Sequence, residues 1–253
     1  MEPETSDELE FCLKSPRELK TLEFEWLELF SKKRSENSDN TKVAISAPFF
    51  STPYGSYRPG QNGTVLLIGK ATSGTNTRQN REVEDLYSVE DIKLRTQEVM
   101  AEQIGKPGRG DSSAFLRFAL KLSYVYNESS LPFENLIWSN VDKIGLQKGN
   151  PRATNSGIPD ALIAETIASE IKAYQPRLVF FATGWHRYGL VRKIILGLTG
   201  EDIKTGENER FWLSQKAAIA PDFIWTMHPQ KKNLETTNRW LNIARDALRQ
   251  SSR

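Results

Sequence analysis

Four short apolar runs, none with alternating polarity, constrain this chain more than any other feature. They are Thr64–Ile68 (TVLLI), Leu136–Ser139 (LIWS), Leu178–Ala182 (LVFFA) and Phe223–Thr226 (FIWT). A strand with one wet face alternates apolar and polar residues, whereas a strand covered on both faces does not need to. Segments with helical spacing separate the runs. Residues 84–104 carry Leu86, Ile92, Leu94, Val99 and Ile104, and residues 113–126 carry Phe115, Leu116, Phe118, Leu120, Leu122 and Val125. Residues 160–174, 186–198 and 232–249 repeat the pattern. Connections of this length between strands imply right-handed crossovers and a parallel sheet. The expected fold is α/β, three-layer α/β/α, around a central four-stranded parallel sheet.

Ahead of this unit, Pro16 is read as opening a helix that ends near Arg34, with Leu19, Leu22, Phe24, Trp26, Leu27, Leu29 and Phe30 among Glu and Lys. The polar SENSDNTK stretch reads as a linker. Two parts follow: residues 1–42, a tail and helix packing on the domain, and residues 43–253, the α/β domain. The chain has 253 residues, 38% hydrophobic and 26% charged, enough for one substantial core.

Lys+Arg 34 against Asp+Glu 32 leaves a net charge of +2, which argues against a polybasic arm while leaving room for a local basic face. Cys12 stands alone, so neither an intramolecular disulfide nor a thiolate cluster is possible. His186 and His228 are too few for a histidine-rich zinc site, and no metal or other cofactor is expected. The acidic MEPETSDELE start lacks a signal-peptide pattern and no run reaches membrane-spanning length. A cytoplasmic protein without membrane contact is expected, with a monomer as the default.

In an open parallel sheet, ligands bind beyond the carboxyl ends of the strands. Four segments fall there: Gly69-Lys70-Ala71-Thr72-Ser73-Gly74, Asn140-Val141-Asp142-Lys143, Thr183-Gly184-Trp185-His186 and Met227-His228-Pro229-Gln230. Both histidines converge on this edge. Each piece alone also has a plain reading: a strand-to-helix turn for GKATSG, a turn cap for Asn140, a satisfied loop histidine for His228, and packing or capping for His186. GKATSG is not a Walker loop, because its lysine follows the first glycine. The Pro/Gly/Tyr-rich stretch APFFSTPYGSYRPGQNG holds Phe49, Phe50, Tyr54 and Tyr57, read first as packing and second as base stacking.

In order and spacing, VLLIGKATSG, IWSNVDKIG, RLVFFATGWHRYG and FIWTMHPQKKN resemble the uracil-DNA glycosylase superfamily over roughly residues 43–250. The resemblance implies an enzyme that extrudes uracil or another deaminated base from single- or double-stranded DNA and hydrolyses its N-glycosidic bond. It makes Asn140 the reader of the base edge and His228 the donor to the developing base anion. The loop from Gly69 through Lys70 and Ala71 would hold substrate, with Lys143, Pro229 and Gln230 beside it and Phe49, Phe50 or Trp138 stacking on the base. Lys148, Arg152, Lys231, Lys232, Arg78 and Arg81 are phosphate contacts or plain surface charges.

The chain departs from that pattern where active relatives carry Asp, Asn or Glu followed by proline early in the first loop. Here stand Lys70-Ala71-Thr72, which leaves water to Thr72, Ser73, Asn76 or a carboxylate such as Asp142 or Asp111. Gln230 replaces the usual serine, and a lone cysteine excludes an iron–sulfur version. Two rival readings stay open. One is a catalytically inactive relative that binds nucleic acid or a nucleobase. The other is an enzyme for small nucleotides or phosphate esters that uses Lys70.

Overall fold

The computed structural model describes residues 13–36, 48–53, 64–71, 88–104, 114–126, 133, 135–145, 158–203, 211–213, 221–230 and 232–250. In chain order the elements are α1 (Leu19–Glu36), β1 (Thr52–Pro53), β2 (Val65–Ala71), α2 (Val89–Ile104), α3 (Ala114–Tyr126), β3 (Leu136–Asp142), α4 (Asp160–Tyr174), β4 (Leu178–Phe181), α5 (Tyr188–Thr199), β5 (Phe211–Leu213), β6 (Asp222–Thr226) and α6 (Leu234–Gln250). The protein is a mixed α/β structure built on a mostly parallel sheet.

The four apolar runs form β2, β3, β4 and β6, and they lie side by side in the order β3-β2-β4-β6, all parallel. The sheet has six strands rather than the expected four. β1 pairs antiparallel with β3, and β5 pairs antiparallel with β6. Both additions are two- or three-residue edge strands, too short for a hydrophobic pattern. Pro53 suits such an edge because it has no N–H to offer a further neighbour.

Alternate strand residues feed two separate cores. Leu66, Ile68, Ile137, Val141, Val179, Phe181, Phe223 and Trp225 join one, with α1, α4 and α5 residues such as Trp26, Ile163 and Val191. Val65, Leu67, Leu136, Trp138, Leu178, Phe180 and Ile224 join the other, with Phe115, Phe118, Trp240 and Leu241 from α3 and α6. Every strand position from Val65 to Ile68 is at most 1% exposed, which is why the run carries no polar alternation.

The amino-terminal helix packs into the first core through Leu22, Trp26 and Phe30. Trp26 Nε1–H donates to Thr166 Oγ1 of α4 at 2.9 Å. Arg17, ahead of the helix, donates its backbone N–H and its guanidinium to the buried Glu165 carboxylate at 2.6–3.0 Å. Burial alone would raise the Glu165 carboxyl, but these bonds outweigh it and hold the group below its ordinary range. Among the described residues no helix is long and apolar enough to cross a membrane.

Candidate functional site

Parallel pairing brings the carboxyl ends of β2, β3, β4 and β6 to one edge. Gly69 sits opposite Asn140, Ala71 opposite Asp142, Ile68 opposite Phe181, and Phe181 opposite Trp225. The chain runs from β2 to β3 on one side and then from β3 across to β4 on the other side of β2, so the direction of connection reverses. That reversal marks the crevice where open α/β sheets hold ligands. The next turns knit the edge together: Ala182 N–H donates to Ile68 O at 2.9 Å and Gly184 N–H to Thr226 O at 3.0 Å. Gly184 has a φ of +60°, and a Cβ there would stand 3.0 Å from the His228 nitrogen. Glycine therefore lets the β4 and β6 loops approach each other.

Asn140 is the best-defined polar group at this edge. It is 1% exposed, on the face of β3 shared with Trp138. The Trp138 indole N–H, 3.3 Å away, can only donate, so the Asn140 amide must turn Oδ1 toward it. Nδ2 then points elsewhere as a buried donor with no hydrogen-bond partner among the described residues. Gly69 makes the arrangement possible. A Cβ at residue 69 would meet Asn140 Oδ1 at 2.6 Å and the Phe115 ring at 2.9 Å.

An aromatic wall joins Asn140 to His228. Phe49 packs on Trp138 at 4.5 Å between centroids, Trp138 on Phe115 at 5.4 Å, and Phe115 stacks with the His228 imidazole at 5.9 Å. The Gln230 backbone N–H donates to His228 Nδ1 at 3.2 Å, which puts the neutral ring's proton on Nε2. Burial pushes His228 down to about 4, with Lys70 and His186 adding repulsion. The imidazole is thus a neutral Nε2–H donor at physiological pH. Half-buried Lys70 is also pushed down, by burial and then by Lys232.

The edge holds a second polar group. Asp142, fully buried, stands with Oδ2 2.5 Å from His186 Nε2 and Oδ1 2.5 Å from Arg187 Nε. The second contact is an ion pair whose N–H is not aligned as a hydrogen bond. Arg187 also donates through Nη1 to Asp160 of α4 at 2.8 Å. Arg187 occupies the left-handed region at φ +48°, costly for a residue with a long side chain, and its two carboxylate partners hold it there.

Of the residues singled out in the sequence, Gly69, Asn140, Trp138, Phe49 and His228 come together on this wall. Lys70, Ala71 and Asp142 sit at the same edge; Pro229 is buried and Gln230 is exposed. Thr72 and Ser73, with Asn76, Asp111, Lys148, Arg152, Arg78, Arg81 and Lys231, lie outside the described residues.

Two expected contacts are withdrawn from the edge. Lys143, 1% exposed, is paired to Glu170 and donates to Ser139 Oγ at 2.6 Å, so its ammonium is consumed inside the protein. Phe50 enters the opposite core from Phe49. Sequence reasoning missed Phe115, which has the spacing of an ordinary helix core position. His186, read as packing or capping, pairs through its ring with Asp142. The Asn140 and Asp142 side chains share strand parity, which was the available signal for looking beyond residue 140.

No family model matches this chain, and no curated protein matches it.

Proposed function

We propose that this protein is a DNA glycosylase that hydrolyses the N-glycosidic bond of uracil or another deaminated base, on a three-layer α/β/α domain of the uracil-DNA glycosylase type. The layered reading is supported by two cores fed from alternate strand residues, one with α1, α4 and α5 and the other with α3 and α6. The catalytic reading rests on one observation: the Asn140 amide and the His228 imidazole both lie beside the Phe115 ring, the amide with a buried Nδ2 that has no hydrogen-bond partner among the described residues and the neutral imidazole with its proton on Nε2.

Donors call for acceptors. Asn140 Nδ2 suits a base carbonyl, and the second lone pair of Oδ1 remains for an imide N–H. Cytosine would set its exocyclic amine against Nδ2, donor against donor, which disfavours the undamaged base. As the glycosidic bond breaks, its electron pair moves onto the base, and a neutral Nε2–H on His228 stabilises that charge without first being deprotonated. The Lys70 ammonium adds positive potential for the leaving base or a DNA phosphate. No metal or other cofactor takes part in this reading.

Incubation with single- and double-stranded oligonucleotides carrying uracil, hypoxanthine or xanthine tests it. Alkali-labile abasic sites are expected from at least one substrate. Intact strands throughout, beside a working control enzyme, would overturn the assignment. The lysine where relatives carry a carboxylate favours one rival, a non-catalytic base binder. That reading is selected by DNA binding that survives Asn140→Ala and His228→Ala without cleavage of any substrate.

A further inference from the structure

We propose that His186 is the general base that activates the attacking water, with Asp142 as its positioning residue. This rests on the glycosylase reading and supplies what the first loop lacks, a carboxylate for the water.

The geometry is that of an oriented imidazole. Asp142 Oδ2 lies 2.5 Å from His186 Nε2, and the carboxylate is fully buried while the histidine side chain is 13% exposed. An ionised carboxylate only accepts, so Nε2 carries the proton and the lone pair of the neutral ring resides on Nδ1. Arg187 holds the other Asp142 oxygen and is itself anchored to Asp160, so the carboxylate cannot swing away. His186 follows β4 and His228 follows its neighbour β6, and the two loops meet at Gly184, where a Cβ would stand 3.0 Å from the His228 nitrogen. The two histidines differ in what faces Nδ1 and Nε2. In His228 a backbone N–H occupies Nδ1 and leaves a donor; in His186 a carboxylate occupies Nε2 and leaves an acceptor. Two titratable groups with opposed environments are what an acid–base reaction needs.

In the step itself, water oxygen bonds to the sugar C1′ as the bond from C1′ to the base nitrogen breaks. The bonding pair leaves with the base, toward the His228 donor. One water proton passes to His186 Nδ1, and Asp142 stabilises the imidazolium until that proton returns to the base or to solvent. No other reactant is required.

The test is single-turnover base release over a range of pH by the wild type, His186→Gln and Asp142→Asn, with DNA affinity measured in parallel. His186→Gln is expected to lower the rate about 10²–10³-fold at unchanged affinity and to change the shape of the pH–rate profile. Asp142→Asn removes the carboxylate that holds Nε2, so the rate should fall while DNA affinity stays unchanged. Among the described residues, Asp142, Arg187, His228 and, through Arg187, Asp160 are the charged or titratable groups linked to this ring. Asp142→Asn disturbs a buried ion pair, so His186→Gln, on the exposed side, decides the matter if the other variant fails to fold. A wild-type rate and profile in His186→Gln, or a loss confined to affinity, overturns this proposal and leaves the glycosylase reading standing. No release by the wild type removes both.

Discussion

At the scale of single residues, the site depends on one missing side chain. A methyl group at residue 69 would stand 2.6 Å from Asn140 Oδ1 and 2.9 Å from the Phe115 ring. Both neighbours are buried in a packed wall, so Gly69→Ala should cost about 1–3 kcal/mol by urea denaturation and depress base release further by turning the amide. His228 makes a prediction of the opposite kind. Its folded-state value, about 4, lies below the unfolded value of about 6.5. The unfolded chain therefore binds the extra proton between those limits, and stability falls as pH drops through that window. His228→Gln should flatten this acid-side loss in melts between pH 7 and pH 4, while lowering base release by ~10²-fold or more. That Asn140 and His228 lie at one sheet edge was legible because parallel strands end together. Phe49 and Phe50 were not separable by composition, although neighbours in extended chain point to opposite faces. The same parity accounts for Lys143, which shares its face with Ser139 and Val141 rather than with Asn140.

At the scale of elements, the four strands were readable because burial on both faces removes polar residues altogether. Helices α3 and α4 were readable within a residue from their periodicity. The edge strands β1 and β5 were not, since pairing of two or three residues is decided by what the chain meets in space. The amino-terminal helix was read as packing on the domain, but its anchor to α4 through Arg17 and Glu165 depends on partners 148 residues apart. Glu165 is held below its ordinary range. Its contribution is therefore complete above the unfolded value near 4.3 and is lost as pH falls through the lower folded value. Because Arg17 is half-exposed, Glu165→Gln should cost only about 1 kcal/mol at pH 7, with the gap to the wild type closing in acid.

At the scale of the whole molecule, two cores meet through one sheet, and a charged pair is sealed between the sheet and α4. Lys143 and Glu170 are each 1% exposed, joined also through Ser139. Glu170→Gln leaves an uncompensated buried ammonium and should destabilise the protein by about 3–5 kcal/mol. Lys143→Met with Glu170→Leu should recover most of that loss. Because this pair lies across the sheet from Asn140, base release per folded molecule should stay unchanged in the double variant. Asn140 and His228 must receive one base together for the proposed chemistry to run. The most direct measurement is side-chain ¹⁵N NMR of the Asn140 amide and the His228 imidazole during titration with a uracil-containing oligonucleotide. Both resonances should shift together with one affinity, and an undamaged oligonucleotide should leave them in place. Binding that moves neither, or moves them equally for damaged and undamaged DNA, would contradict a shared base site.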